Sequence, residues 1–294
     1  MIIGTKKQFS LFDLVNVVII SFFVILCLVP FLHIIAISLS SNAPIISGKV
    51  TIYPLELSFD AYTRVLSDIS MIRSLIFTIA LTVGFTIFSM IMTTMVAYPL
   101  TNPKLKGRQT FMYIIIFTMF FSGGLIPEYL LMKSLGILDT TSVLILPGLI
   151  SPFYMIIMIT FFKATIPSSL NEAAEIDGCS YFGILFRIVL PLSTPVLATL
   201  SLFYAVARWN GFRDALFYIT DQSLYPLQLK LYQLVMNNMV NEALLAEGMN
   251  LGVQLLPESL KAASIMFATV PILIAYPWLQ RYFVSGLTLG SVKG

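Results

Sequence analysis

Side chains that could bind another molecule are concentrated in two segments of this 294-residue chain. In the later segment, Asn210, Arg213 and Asp214 follow an apolar stretch at positions i, i+3 and i+4. On a continuing helix these positions share one face, and Arg208 points away from it. An amide, a guanidinium and a carboxylate can together hold a polar solute. We predict that the three line a solute path; the alternative is an interfacial arginine that reaches lipid headgroups beside Trp209.

The earlier segment has the signals of a helix, a turn and a second helix. Pro167 with two following serines indicates a helix start, and Ser169 and Glu172 have the spacing of a capping box. Gly178 suits the left-handed end of that helix. A second helical stretch, Tyr181–Val189, leads to the next apolar run. Such an elbow, anchored at both ends to apolar helices, can transmit a push from a soluble partner.

Covalent catalysis has no suitable set of residues in this sequence. His33 is the single histidine, Cys27 and Cys179 lack a metal-binding spacing, and no Gly-x-x-x-x-Gly-Lys-Ser/Thr phosphate loop occurs. Neither a catalytic triad nor a paired carboxylate site can be assembled. We predict that the chain is not an enzyme and holds no metal or cofactor of its own.

The elements that carry these segments follow from composition. The chain is 58% hydrophobic and only 11% charged, with a mean hydropathy of +0.92. Soluble domains have about twice that charge, and disordered chains are poor in apolar residues, so both classes are excluded. A net charge of +3 is too small to indicate a nucleic-acid partner. The composition therefore predicts a membrane protein.

The positions of the charges predict six membrane-spanning helices. A helix needs about 20 apolar residues to cross the bilayer core. A transmembrane barrel would show alternating segments, and the run Tyr113–Phe117 does not alternate. We therefore predict an all-α polytopic protein. The charge-free gaps that could each hold one span are 14–48, 74–103, 109–127, 140–162, 188–207 and 262–280.

The distribution of basic residues predicts that both termini are cytoplasmic. With the amino terminus inside, the inner segments carry a net charge of +5 and the outer segments −2, which together give +3. The firmest signal is the short loop Thr101–Gln109, which contains Lys104, Lys106 and Arg108. This orientation places the elbow on the cytoplasmic side.

The elbow contains a spaced set of seven residues: Glu172, Ala173, Ala174, Gly178, Ile188, Leu190 and Pro191. With this spacing it resembles the EAA loop of ATP-binding-cassette (ABC) importer permeases. The resemblance implies the type I ABC importer permease fold, in which this elbow is a coupling helix that docks in a cleft of a cytoplasmic ATPase. It also implies roles: Glu172 would pair with a basic group of the ATPase, and Ala173 and Ala174 would permit close approach. Gly178 would allow the turn beside Asp177.

Seven further segments carry a second resemblance: Phe121–Pro127, Lys133–Gly136, Arg208–Asn210, Asp214–Leu216, Pro226–Gln228, Gln280–Gly286 and Gly290–Gly294. They resemble the carbohydrate branch related to the maltose importer, and within it the oligosaccharide and polysaccharide permeases. That branch commonly has histidine where this chain has Arg208. The resemblance of the tail implies that Gly290, Lys293 and Gly294 contact the ATPase dimer.

The resemblance implies a permease subunit of an ATP-driven carbohydrate importer in the bacterial cytoplasmic membrane. The residues of the later segment add the hypothesis that Arg213 favours an acidic sugar such as a uronate oligomer. The implied partners are a second and distinct permease, a dimer of ATPase subunits that holds ATP and Mg, and an extracytoplasmic solute-binding protein. The predicted regions are 1–70, an amino-terminal helix with an extracytoplasmic segment; 71–285, the transmembrane core with the elbow at 168–191; and 286–294, a cytoplasmic tail.

Two alternatives remain at this point. One is an ABC permease for a non-sugar solute. The other is a secondary transporter or channel without an ATPase, which would show an inverted repeat with broken helices in matching positions and would not need the elbow.

Overall fold

The computed structural model describes residues 11–246 and 257–288, and those residues form helices and loops without a β-strand. The α-helices are α1 Leu11–Ser38, α2 Asn42–Ile46, α3 Asp60–Ser67, α4 Ile69–Ala97, α5 Arg108–Phe120, α6 Leu125–Ser134, α7 Thr141–Ile145, α8 Pro152–Thr165, α9 Ser168–Ile176, α10 Tyr181–Ile184, α11 Leu190–Leu192, α12 Thr194–Asn210, α13 Arg213–Tyr218, α14 Leu227–Ala246 and α15 Glu258–Thr288. Leu185–Val189 is a π-helical turn, and short 3₁₀ turns lie at Pro99–Thr101, Leu146–Gly148 and Gln222–Leu224.

Length and composition give three to six candidate membrane spans among the described residues. Three are single helices: Leu11–Ser38, Ile69–Thr101 and Glu258–Pro277. The other three are pairs bent at a short break: Arg108–Phe120 with Leu125–Ser134 by 118°, Thr141–Gly148 with Pro152–Thr165 by 48°, and Tyr181–Leu192 with Thr194–Asn210 by 83°. With each bent pair counted as one span, every charge-free gap overlaps one, and the bent pairs extend past their gaps to include charged residues such as Glu128 and Arg208. The predicted all-helical, multi-pass class is confirmed, and the cytoplasmic placement of the termini stays a prediction.

Contacts divide the chain into two compact units. One comprises the residues up to Ile69 together with Gln233–Val270. Within it α1 is exposed from Leu11 to Leu32, as expected of a helix that faces lipid rather than protein. A small apolar core forms between α3 and the first part of α15. It contains Ala61, Val65 and Ala263, with Tyr62, Leu260 and Phe267 packed against them.

The other unit comprises Ser70–Tyr232 and Pro271–Gly294 and contains both segments singled out from the sequence. One of its apolar clusters joins the end of α4 to α8 and to the elbow, and includes Ala97, Leu100, Met158, Phe162, Ala174, Ile184 and Val189. A second joins α4, α7 and α13, and includes Leu81, Val143, Leu144, Ala215, Tyr218 and Leu229. The first cluster positions the elbow, and the second positions the residues that follow α12.

Tyr204 connects three elements of this unit. Its side chain is 2% exposed, and its hydroxyl lies 2.7 Å from the Thr93 hydroxyl on α4. The same oxygen accepts a hydrogen bond from the backbone N–H of Ser151, which precedes α8. Its ring makes edge contacts with Tyr154 at 4.8 Å and Phe85 at 6.0 Å between centroids. Tyr204 therefore ties α12 to α4 and to the start of α8.

Asp139 holds two loops of the same unit together. It has a positive φ of 58°, and its carboxylate accepts from the backbone N–H groups of Asp221 and Thr220 and from the Thr220 hydroxyl, each at 2.8 Å. The bond from the Asp221 N–H, followed by those from Thr220, holds the pKa of the Asp139 carboxyl below its usual value. The contact is therefore present above the usual pKa and is lost as the pH falls through the lowered one.

We expect Asp139→Ala to expose the Thr220 and Asp221 amides, because three hydrogen bonds to the carboxylate disappear and alanine disfavours a positive φ. Hydrogen–deuterium exchange should accelerate at these amides. Asp139→Asn should have a smaller effect, because asparagine keeps an acceptor oxygen and tolerates the left-handed region. The control is Asp60→Ala on α3, which should leave exchange at Thr220 unchanged. Equal protection in Asp139→Ala and the native protein would contradict this role.

Candidate functional site

The first helix of the elbow, which we define as residues 168–191, begins differently from the capping-box prediction. α9 starts at Ser168, its N-cap is Pro167, and no side chain caps its free N–H groups. The predicted exchange of bonds between Ser169 and Glu172 is therefore wrong. Pro167 has an extended backbone that fixes the entry into the helix, which places Ser169 inside the first turn. The helix start itself is confirmed.

The turn of the elbow is confirmed at Gly178, whose φ is +77°. The Cys179 N–H donates to the carbonyl oxygen of Ala174 at 2.9 Å, and the Gly178 N–H donates to that of Glu175 at 3.1 Å. These bonds satisfy the carbonyl groups at the end of α9, as in a glycine-terminated helix. A β-carbon at Gly178 would meet no atom within 4 Å, so the position requires glycine for its backbone and not for space.

The elbow presents a mixed acidic and apolar surface. Glu172, Ala173 and Asp177 are exposed, whereas Ala174 is 7% exposed and packs in this chain's own core. Ala174 therefore permits close approach of α9 to that core. Ile188 and Leu190 are half-buried against the same core, and Pro191 is exposed.

Sequence reasoning missed the apolar part of this surface. Ile176 is 85% exposed, and Phe182 and Phe186 are exposed one helical turn apart. Their i, i+4 spacing beside the acidic residues is the signal that could have found them. An exposed aromatic pair next to carboxylates is suited to a protein partner.

A groove of about 750 Å³ lies beside the elbow within this unit, and we call it the elbow groove. Lys104, Lys106 and Lys163 contribute to its wall together with Glu172 and Glu175. Its apolar lining includes Tyr98, Phe162, Tyr181, Phe182 and Leu185. The loop that gave the strongest orientation signal in the sequence thus lies next to the elbow.

A second cavity, of about 960 Å³, contains the three residues predicted to line a solute path, and we call it the aromatic cavity. Asn210, Arg213 and Asp214 all line it. Its aromatic residues were not identifiable from the sequence, because the spans are rich in such side chains throughout. They are Phe85, Tyr154, Tyr204, Phe212, Phe217 and Tyr218.

The predicted orientation of Arg208 is wrong. The helix does not continue past Asn210, because α12 ends there and α13 begins at Arg213 after a break at Gly211. The break turns Asp214 back toward α12. The two terminal nitrogens of Arg208 donate hydrogen bonds to the two carboxylate oxygens of Asp214, at 2.6 and 2.8 Å.

Arg213 and Asn210 remain accessible in the cavity wall. Asn210 is exposed, and its amide nitrogen donates to the carbonyl oxygen of Val206 at 2.9 Å, which leaves its amide oxygen as an acceptor. Arg213 is exposed and makes no hydrogen bond or ion pair among the described residues. Its guanidinium is therefore available to a bound molecule.

Tyr218 and Glu128 complete the charged part of the cavity. Burial raises the pKa of the Tyr218 hydroxyl, and the nearby Glu128 carboxylate raises it further. Tyr218 therefore stays protonated beside the Glu128 carboxylate. Glu128, Arg208, Arg213 and Asp214 are the charged side chains of the cavity lining.

The predicted tail residues Gly290, Lys293 and Gly294 lie outside the described residues. Within 11–246 and 257–288, no group of three or more His, Cys, Asp or Glu side chains could hold a metal ion.

Comparison with known proteins gives concordant matches. The model of the family described as "Binding-protein-dependent transport system inner membrane component" matches residues 2–289. Two Bacillus subtilis proteins are each 42% identical to the chain. They are the polygalacturonan/rhamnogalacturonan transport system permease protein YtcP, over 97% of this chain and 99% of that protein, and protein LplC, over 98% and 97%. One solved structure, of a bacterial ABC transporter involved in the import of the acidic polysaccharide alginate, matches with a TM-score of 0.84 and 33% identity, over 95% of this chain and 99% of the matched chain.

Proposed function

The chain belongs to the family of binding-protein-dependent transport system inner membrane components, and from that membership we propose that it is the permease subunit of an ATP-driven importer of acidic oligosaccharides. It is a multi-pass protein of the bacterial inner membrane and a transport permease rather than an enzyme. The names of its relatives support a carbohydrate as the solute. Polygalacturonan is a polymer of a uronic acid, and alginate is described as an acidic polysaccharide.

The observation that carries the acidic substrate is Arg213 in the wall of the aromatic cavity. Arg208 is neutralised by Asp214, and the Glu128 carboxylate lies near the protonated hydroxyl of Tyr218. Arg213 is the remaining cation of the lining, and it can form a two-pronged bond with a uronate carboxylate. The aromatic walls around it offer flat surfaces to sugar rings, and the volume is that of a site for a small ligand.

Arg213→Ala tests this substrate class in proteoliposomes that contain the complete importer and its binding protein. We expect uptake of an oligogalacturonate to fall about tenfold or more, because a charge-assisted pair is lost. Uptake of the carboxyl-reduced, neutral oligosaccharide should change less than about twofold, since it makes no ion pair. Arg213→Lys should show intermediate uptake of the oligogalacturonate, because lysine keeps the positive charge but cannot form a bidentate pair with the carboxylate.

The matched control is Lys133→Ala, an exposed cation on α6 that lies outside the cavity lining. It should leave both uptake rates unchanged. Native uptake of the oligogalacturonate by Arg213→Ala would overturn the proposal, as would an equal loss for the charged and the neutral substrates.

The proposed assembly contains a second, distinct permease, a dimer of ATPase subunits that bind ATP and Mg, and an extracytoplasmic binding protein. Dependence on a binding protein is part of the family description. The elbow supports the ATPase contact, because Glu172 and Asp177 are exposed beside Ile176 and Phe182. In this assembly, closure of the ATPase dimer pushes the elbow, and α10–α12 carry the motion to the aromatic cavity. Alternating access follows from that motion.

A further inference from the structure

Arg208 makes three hydrogen bonds through its terminal nitrogens, whereas its buried Nε has no partner among the described residues. It is 7% exposed, and besides its two bonds to Asp214 it donates to the carbonyl oxygen of Leu144 on α7 at 2.5 Å. Its guanidinium carbon lies 5.5 Å from the centre of the Phe85 ring on α4. One side chain of α12 therefore contacts α4, α7 and α13.

Two glycines lie close to the Arg208 side chain and to the aromatic ring beside it. A β-carbon at Gly211 would lie 2.9 Å from Nη2 of Arg208, which is closer than real contacts allow. A β-carbon at Gly148 would lie 3.2 Å from the Phe85 ring. Glycine at 211 therefore leaves room for the guanidinium, and glycine at 148 leaves room for the Phe85 ring beside it.

The ion pair determines the charge that a solute meets. Asp214 directly follows Arg213, both line the cavity, and the Asp214 side chain is still 27% exposed. Without Arg208, the Asp214 carboxylate would repel an acidic sugar, and it would compete with that sugar for Arg213. With Arg208 in place, both Asp214 oxygens are occupied and Arg213 remains available.

We propose that Arg208 is a positioning residue for substrate charge, which holds Asp214 so that Arg213 can bind the carboxylate of an acidic sugar. This inference rests on the proposed function and adds a residue that acts through another. The other charged or titratable groups of the site are Glu128 on α6, Tyr154 on α8, Tyr204 on α12, and Arg213 and Tyr218 on α13. Arg208 is the group that neutralises Asp214.

A pair of variants separates this electrostatic role from packing. Arg208→Leu should raise the KM for oligogalacturonate about tenfold or more, with a smaller change for the neutral oligosaccharide, because Asp214 becomes an unpaired anion. Arg208→Leu/Asp214→Asn removes that anion and should restore the KM to within about threefold of the native value. If Arg208 only supported the fold, the double variant would be no better than the single one, and that result would overturn the inference.

If Arg208→Leu does not reach the membrane, variants that keep a cation at position 208 test the inference instead. Arg208→Lys should retain the preference for the acidic substrate. Arg208→His should retain it at low pH and lose it as the pH rises through the histidine pKa of about 6.5 or somewhat above, because Asp214 favours the charged ring. The native importer should show no such step, since arginine stays charged. A flat profile for Arg208→His would overturn the inference.

These outcomes can be told apart from failure of the proposed function. If Arg213→Ala leaves oligogalacturonate uptake unchanged, the acidic-substrate proposal fails and this inference fails with it. If Arg213→Ala is defective but the double variant at Arg208 and Asp214 is not restored, only the positioning role of Arg208 fails.

Discussion

Gly178→Pro is expected to abolish ATP-driven uptake and to release the ATPase subunits from the purified complex. Gly178 has a φ of +77°, whereas the proline ring fixes φ near −65°. Proline also removes the N–H that donates to Glu175 at the end of α9. The chain would then leave α9 in another direction, and Glu172 and Phe182 would no longer line the same groove.

Alanine substitutions at two glycines provide the comparisons for Gly178→Pro. Gly178→Ala should produce a partial defect, because a left-handed alanine costs about 1–2 kcal/mol and its β-carbon meets open space. Gly84→Ala is the matched control, since a β-carbon there also meets nothing within 4 Å and its φ is not positive. Co-purification of the ATPase and ATP-dependent uptake are measured together. Undiminished ATPase binding by Gly178→Pro would refute the docking role of the elbow.

Tyr204→Ala should destabilise the protein by about 3–5 kcal/mol, as expected when a large buried aromatic ring is removed. The ring lies between Phe85 and Tyr154, so its loss opens a void beside the aromatic cavity. The Thr93 hydroxyl and the Ser151 N–H lose their shared partner as well. We expect a large decrease in the thermal denaturation temperature of the detergent-solubilised protein.

Tyr204→Phe separates the hydroxyl from the ring. It should cost about 1–3 kcal/mol, because the Ser151 N–H is left without its acceptor. Tyr129→Phe on α6 is the control, because that side chain is exposed and its ring keeps the stacking contact with Tyr218. The assigned role of the hydroxyl is wrong if Tyr204→Phe and Tyr129→Phe unfold at the same temperature.

The membrane spans were predictable because a charged side chain is costly in lipid, so long stretches without charged residues indicate where the spans lie. Each of the six gaps overlaps a helix or a bent pair. The bends were only partly predictable. Gly123 and Gly124 indicated the break before α6, and Gly124 has a φ of +88°. Pro191 and Pro195 likewise indicate a break around Ser193, but they do not give its angle of 83°.

The main error concerned Arg208, and its cause is physical. Periodicity assumes one continuous helix, on which positions six apart do not face each other. The break between Asn210 and Arg213 folds Asp214 back and makes that spacing a contact. The glycine at 211 was visible, but its closeness to the Arg208 guanidinium depends on the fold. Contacts between residues far apart in the sequence, such as the hydrogen bond from Arg208 to Leu144, likewise cannot be predicted from local sequence patterns.

The elbow was the most predictable site, because its turn depends on one residue type. Gly178 needs a backbone conformation that few other residues tolerate, so its role is local. The capping prediction failed because Pro167 and Ser169 offered competing starts, and the sequence does not rank them. The burial of Ala174 could not be predicted either, because it depends on the core under α9.

The π-helical turn at Leu185–Val189 determines where this region can lose a residue without a change in helical phase. A π turn closes its hydrogen bonds over one residue more than an α turn. Loss of one residue within this turn would let the helix close as a regular α-helix, with the helical phase on either side unchanged. Loss of a residue within α12 would instead rotate everything before it by about 100° about the axis. Length variants that keep the elbow aligned with α12 are therefore expected at 185–189 and not in the helix that follows.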